Sequence, residues 1–108
     1  MVAAMKHAFL YITVGSAEEA ASIARDLLDA RLIACANIID GAKSLYRWEG
    51  KIAQESEAVM IAKTREDLVE KVIDRVRELH SYDCPCIVAL PIVAGNPAFL
   101  DWIDEETA

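Results

Sequence analysis

Residues Ile33 to Lys63 form one long strand-like stretch, broken only near Asp40-Gly41 and at Glu49-Gly50. Glu49-Gly50 is a hairpin signal, so the stretch folds back on itself as two antiparallel strands. At ~3.3 Å per residue the arm from Ala34 to Glu49 reaches ~50 Å, while the strand-like run over residues 8–14 reaches ~25 Å. The hairpin must overhang its own sheet. A two-stranded overhang is marginal in water, and this one carries Leu45, Tyr46, Trp48 and Ile52 near its tip. The economical partner is the sheet of another copy, and a closed ring would remove the open edges. A symmetric homo-oligomer is the expectation.

The rest of the chain supplies a frame for this arm. Residues 8–14 are apolar on both faces, as in a central strand. Ser16-Ala-Glu-Glu19 reads as a capping box, and Ala20, Ile23, Ala24, Leu27 and Leu28 then form one buried helical stripe running to about Arg31. Thr64-Arg-Glu-Asp67 reads as the cap of a second helix with the stripe Val69, Val72, Ile73, Val76 and Leu79, ending near His80. Cys86 to Ala94 is a β-branched run interrupted by Pro91, which confines it to a sheet edge. Asn96-Pro97 starts a short C-terminal helix carrying Phe99 and Trp102. Residues 1–6 read as a disordered lead. The order β-α-β-β-α-β is the ferredoxin-like, split βαβ arrangement, an α+β fold with the second and fourth strands as edges. We expect one domain over residues 1–108.

Charge narrows the partners. Eighteen acidic against 11 basic side chains give a net charge of −7, which opposes a phosphate backbone, so no nucleic-acid partner is expected. The basic residues form no polybasic block, and no apolar run approaches the ~20 residues of a membrane span, so no membrane partner is expected either. Three cysteines, an odd number, fit free thiols in a reducing cytoplasm better than a disulfide scaffold. The four glycines never cluster into a phosphate loop, and no serine sits in a nucleophile elbow. The chain reads as a binding protein and not as an enzyme.

The soft ligands are few. His80-Ser-Tyr-Asp-Cys-Pro-Cys86 places an imidazole and two thiols within one short segment, a set suited to Cu(I) or Zn(II). The spacing lacks a second cysteine pair, so Cys84 and Cys86 also read as plain strand-entry residues. Cys35 fits core packing as well as ligation. His80 ends a helix, where capping competes with ligation. Glu57 and Lys63 lie on one face of the third strand if alternation holds, pairing at a surface or lining a polar cleft between copies. Tyr46, Trp48, Tyr82 and Trp102 suit an interface or core.

Taken together, Leu32-Ile-Ala-Cys-Ala-Asn37, Ser44-Leu-Tyr-Arg-Trp-Glu-Gly50, Glu57, Lys63-Thr64, His80-Ser-Tyr82 with Pro85, and Gly95-Asn96 leading to Trp102 resemble the CutA family of divalent-cation tolerance proteins, from Phe9 to Ile103. The resemblance implies a ferredoxin-like homotrimer similar to the PII signalling proteins, with copper or another divalent metal ion bound but not required for folding. It places family positions on Cys35, Tyr46, Trp48, Glu57, Lys63, His80 and Tyr82. One departure stands out: the family typically has glutamate after the proline and no cysteine before it, where this chain has Cys86 and Cys84.

The expectation is therefore a cytoplasmic homotrimer that binds copper or other divalent ions and takes part in the response to metal ions. Cys35 and His80 are its best ligand candidates, Cys84 and Cys86 an auxiliary soft pair, and Asn37, Tyr46, Trp48, Glu57, Lys63, Tyr82 and Trp102 line the inter-subunit cleft. Two rivals remain: a PII-like regulatory module binding a small anionic ligand in those clefts, and a structural trimer that anchors another, unknown protein.

Overall fold

The computed structural model describes residues 6–108. Strand β1 (His7–Val14) leads into helix α1 (Ala17–Asp29), the hairpin β2 (Cys35–Trp48) and β3 (Lys51–Arg65), helix α2 (Val69–Leu79), edge strand β4 (Ile87–Pro91) and helix α3 (Pro97–Glu106). The sheet is antiparallel with order β2-β3-β1-β4, so β1 is central and β2 and β4 are edges, as the ferredoxin-like reading requires. Of the expected disordered lead, residues 1–5 lie outside the described residues; the Lys6 carbonyl accepts the Glu66 N–H at 2.8 Å.

One face of the sheet is dry. Leu10, Ile12 and Val14 of β1 and Ala58, Met60 and Ala62 of β3 pack against Ala20, Ile23, Ala24 and Leu27 of α1 and Val72 and Val76 of α2. The helical stripes read from spacing are therefore the core faces, except that Leu28, expected in the α1 stripe, falls at its rim one residue past Leu27 and is exposed. On the opposite face α3 covers only the end where Arg65 donates to the Thr107 hydroxyl and carbonyl, and Tyr11, Ile39, Val88 and Leu90 are exposed on it, by the alternation of the paired strands.

Helix α1 stops at Asp29, two residues before the expected end. Arg31 sits at φ 58°, and the Arg31 and Leu32 N–H groups donate to the Leu28 and Leu27 carbonyls. That left-handed residue closes the helix. Thr64 is not the cap of the second helix. The ladder with β1 continues to His7↔Arg65 and keeps Thr64 in β3, where its buried hydroxyl donates to the Leu32 carbonyl at 2.6 Å. Helix α2 is entered instead through a 3-10 turn at Glu66–Leu68 with no side-chain cap. Strand β4 ends at Pro91, short of Ala94. Proline contributes no N–H there, and one last bond in the same register, from the Ile92 N–H to the His7 carbonyl at 2.9 Å, closes the pairing.

The hairpin overhangs as its length demands. Only Ala58–Arg65 of β3 pairs with β1, while β2 and β3 continue together to Trp48↔Lys51. Glu49 and Gly50 both have positive φ, 49° and 78°, the conformation a tight hairpin turn needs. Between Ile39↔Val59 and Ala42↔Glu57 the register slips, with Asp40 and Gly41 opposite the single residue Ala58. This is a β-bulge with glycine at φ 76°, closed by the Gly41 N–H donating to Asp40 Oδ1 at 2.8 Å.

Candidate functional site

The bulge decides which side chains share a face. Before it the odd residues of β2, Cys35, Asn37 and Ile39, stand opposite Lys63, Ile61 and Val59; beyond it the even residues, Ala42, Ser44, Tyr46 and Trp48, stand opposite Glu57, Glu55, Ala53 and Lys51. Because β3 alternates without interruption over residues 51–63, Cys35, Asn37, Tyr46, Trp48, Glu57 and Lys63 all fall on the face away from α1 and α2. Numbering parity alone would have put Tyr46 and Trp48 opposite Cys35. At the inner end Lys63 Nζ donates to Asn37 Oδ1 at 3.0 Å, with Cys35 across the ladder from Lys63.

A second cluster lies where the turn after α2 crosses the end of β1. His80 has a fully buried ring: Nε2 donates to the Thr13 carbonyl at 2.8 Å, and Nδ1 accepts the Tyr82 N–H at 3.0 Å. Since a carbonyl can only accept, the proton resides on Nε2 and the lone pair on Nδ1 is already used. In this arrangement His80 is a positioning residue for the turn, and ligating a metal would break one of these bonds. Its helix-ending place is as expected, but the ring bonds the Thr13 carbonyl and the Tyr82 N–H while the His80 N–H alone closes α2 on Val76.

The Tyr82 ring packs on His80 at 4.7 Å, and its hydroxyl donates to Glu57 Oε2 at 2.8 Å. Burial, and then the Glu57 carboxylate that accepts its hydrogen bond, push Tyr82 well above the ordinary phenol range. Glu57 is itself buried, and a buried carboxylate needs such a donor. Glu57 also lines a shallow cavity of about 350 Å³ with Gly15, Ser16, Asp40 and Ser56.

Sequence reasoning missed Glu19 and Ser81 here. The Ser16 hydroxyl does accept the Glu19 N–H, at 3.1 Å, so half of the capping box forms. The Glu19 carboxylate, however, accepts from the Ser81 N–H at 2.9 Å and the Ser81 hydroxyl at 2.8 Å. No local spacing signals a contact made 62 residues away.

The predicted ligands are not brought together. Cys35 is half-buried on the sheet, Cys84 and Cys86 are exposed, and among the described residues no three His, Cys, Asp or Glu side chains gather into a metal-holding set. Trp102 is partly exposed on α3, its ring 5.5 Å from Phe99. The cleft residues therefore divide between the open sheet face, the turn after α2 and α3.

The family profile described as "CutA1 divalent ion tolerance protein" matches residues 8–106. The chain belongs to this family. The divalent-cation tolerance protein CutA of Archaeoglobus fulgidus is 52% identical over 99 residues, covering 92% of this chain and 96% of that protein. The CutA of Thermus thermophilus is 46% identical over 96 residues, covering 89% and 93%. The solved structure of the periplasmic divalent cation tolerance protein CutA from Archaeoglobus fulgidus is 50% identical and superposes with a TM-score of 0.92, covering 94% of this chain and 99% of that one. The residues that carry the CutA resemblance thus sit on a backbone of the same shape as that relative's.

Proposed function

We propose that this CutA protein is a homotrimeric, cytoplasmic, non-enzymatic binder of copper or other divalent metal ions that takes part in the response to those ions. The observation that carries the reading is the single face onto which the bulge gathers Cys35, Asn37, Tyr46, Trp48, Glu57 and Lys63, uncovered by α1 and α2 and extended by an arm beyond the sheet. A surface of this kind is completed by copies of itself. The family's description as divalent ion tolerance proteins supports the metal, and a net charge of −7 favours cations over anions. Three unpaired cysteines support a reducing compartment.

The donor set limits how the metal would be held. The two ring nitrogens of His80 are engaged, and Cys35 stands apart from the turn that carries Cys84 and Cys86. A cleft site with three or more ligands therefore needs residues from more than one chain. Native mass spectrometry of protein purified without chelator tests both parts. The expected species is a trimer with bound metal; a monomer at micromolar concentration overturns the assembly, and a trimer that takes up no added Cu(II) or Zn(II) overturns the metal.

One observation favours a second reading. Lys63 presents a cation on the open face beside Asn37, as a PII-like module binding a small anion between copies would need. A thermal-shift screen separates the two, because stabilisation by an anionic metabolite without any response to copper selects the regulatory module.

A further inference from the structure

The turn from His80 to Cys86 is held from several sides. Glu19 of α1 accepts from Ser81, His80 fixes the Tyr82 N–H, Glu57 of β3 takes the Tyr82 hydroxyl, and the Cys86 carbonyl accepts the Thr13 N–H of β1 at 3.3 Å. Between these anchors lie Cys84-Pro85-Cys86, with both thiols exposed on the chain. Pro85 has a fixed φ and disfavours the helical region for the residue before it; the chain bends at Cys84, and Pro85 and Cys86 lead into β4.

The Cα atoms of residues two apart in such a segment lie at most ~6.6 Å apart. That is at the upper edge of what a disulfide spans. An ion between the sulfurs relaxes the limit, because two metal–thiolate bonds of ~2.3 Å separate the sulfurs by roughly 4.5 Å in place of the ~2 Å of a disulfide. The pair is thus better spaced for bridging by an ion than for oxidation. Thiolate pairs select soft ions, Cu(I) first among the common ones. Such an ion needs only two ligands, so the site does not depend on the three-ligand set that the described residues lack.

We propose that Cys84 and Cys86 form an intrachain two-thiolate site for Cu(I), complete within one chain and separate from any cleft between copies. Binding releases the two thiol protons to solvent and forms two Cu–S bonds, with no electron transferred. The turn is held before the ion arrives, which reduces the ordering cost of binding. The inference deepens the metal-binding reading and rests on it for its biological sense.

The test is an anaerobic titration of the assembled protein with Cu(I), in competition with a chromophoric chelator, run beside a Cu(II) and Zn(II) titration. The native chain should take one Cu(I) per chain; Cys84→Ser, Cys86→Ser and the double variant should take none, with unchanged circular dichroism. X-ray absorption should show two sulfur neighbours. A double variant that keeps the Cu(I), or a third strong ligand, overturns the proposal. Cu(I) uptake that depends on Cys84 and Cys86 while no protein takes up divalent ions supports the dithiolate site and removes the divalent reading.

Discussion

The turn after α2 depends on His80, whose ring serves as donor on one side and acceptor on the other. Replacing it by alanine leaves the Thr13 carbonyl and the Tyr82 N–H without partners and opens a cavity beside the core. We expect His80→Ala to lower the unfolding free energy by about 2–3 kcal/mol in urea titrations. A conservative Tyr82→Phe change strands the buried Glu57 oxygen and should cost about 1–2 kcal/mol. The same turn shows where residue-level reading ran out. His80, Tyr82 and Glu57 were singled out from the sequence, but as ligand and cleft residues, because their partners lie on other elements. Thr64 was misread for the same reason: its S/T-x-x-D pattern fits a cap, and only the pairing of β3 with β1 shows that its hydroxyl is spent on Leu32.

At the scale of the elements, periodicity carried most of the information. The stripes of α1 and α2 and the alternation of β1 were legible because each buries one face against the same core. Arg75 of α2 ties the two helices together by donating twice to the Asp26 carboxylate, at 2.8 Å each. These bonds hold the Asp26 carboxyl below its ordinary value of 3.8. With the folded value depressed, the contribution is fully present above about pH 4 and is lost as pH falls through the folded value. Asp26→Asn should therefore flatten the acid limb of the stability profile and leave neutral pH with a small loss, as followed by thermal melts at pH 2–7. The hairpin turn offers a second check. Glu49 holds a left-handed conformation that asparagine tolerates better, so Glu49→Asn should gain about 0.5 kcal/mol while Gly50→Ala loses about 1–2 kcal/mol.

For the molecule as a whole, the overhang was legible from strand lengths alone, and the family resemblance from segments spread along the chain. What could not be read was how the arm's side chains divide between its faces, since a break near Asp40-Gly41 does not disclose how many residues it absorbs. The arm leaves Leu45, Trp48 and Ile52 largely exposed. If copies complete one another there, Trp48→Ser should weaken assembly on the order of thirtyfold by sedimentation velocity, the effect of losing ~2 kcal/mol at an aromatic anchor.

The bulge at Asp40-Gly41 also governs how this arm can change length. Removing Gly41 alone would leave Asp40 opposite Ala58 and Ala42 still opposite Glu57, an unbroken ladder in which Tyr46 and Trp48 keep their face and only the local bend and twist of the arm change. Lengthening both strands equally beyond it leaves every facing intact. Variants that trim or extend the arm should thus be viable when the two strands change in step or when Gly41 alone is removed, and lose their oligomer when a single residue is dropped from one strand beyond the bulge, which shifts the outer register.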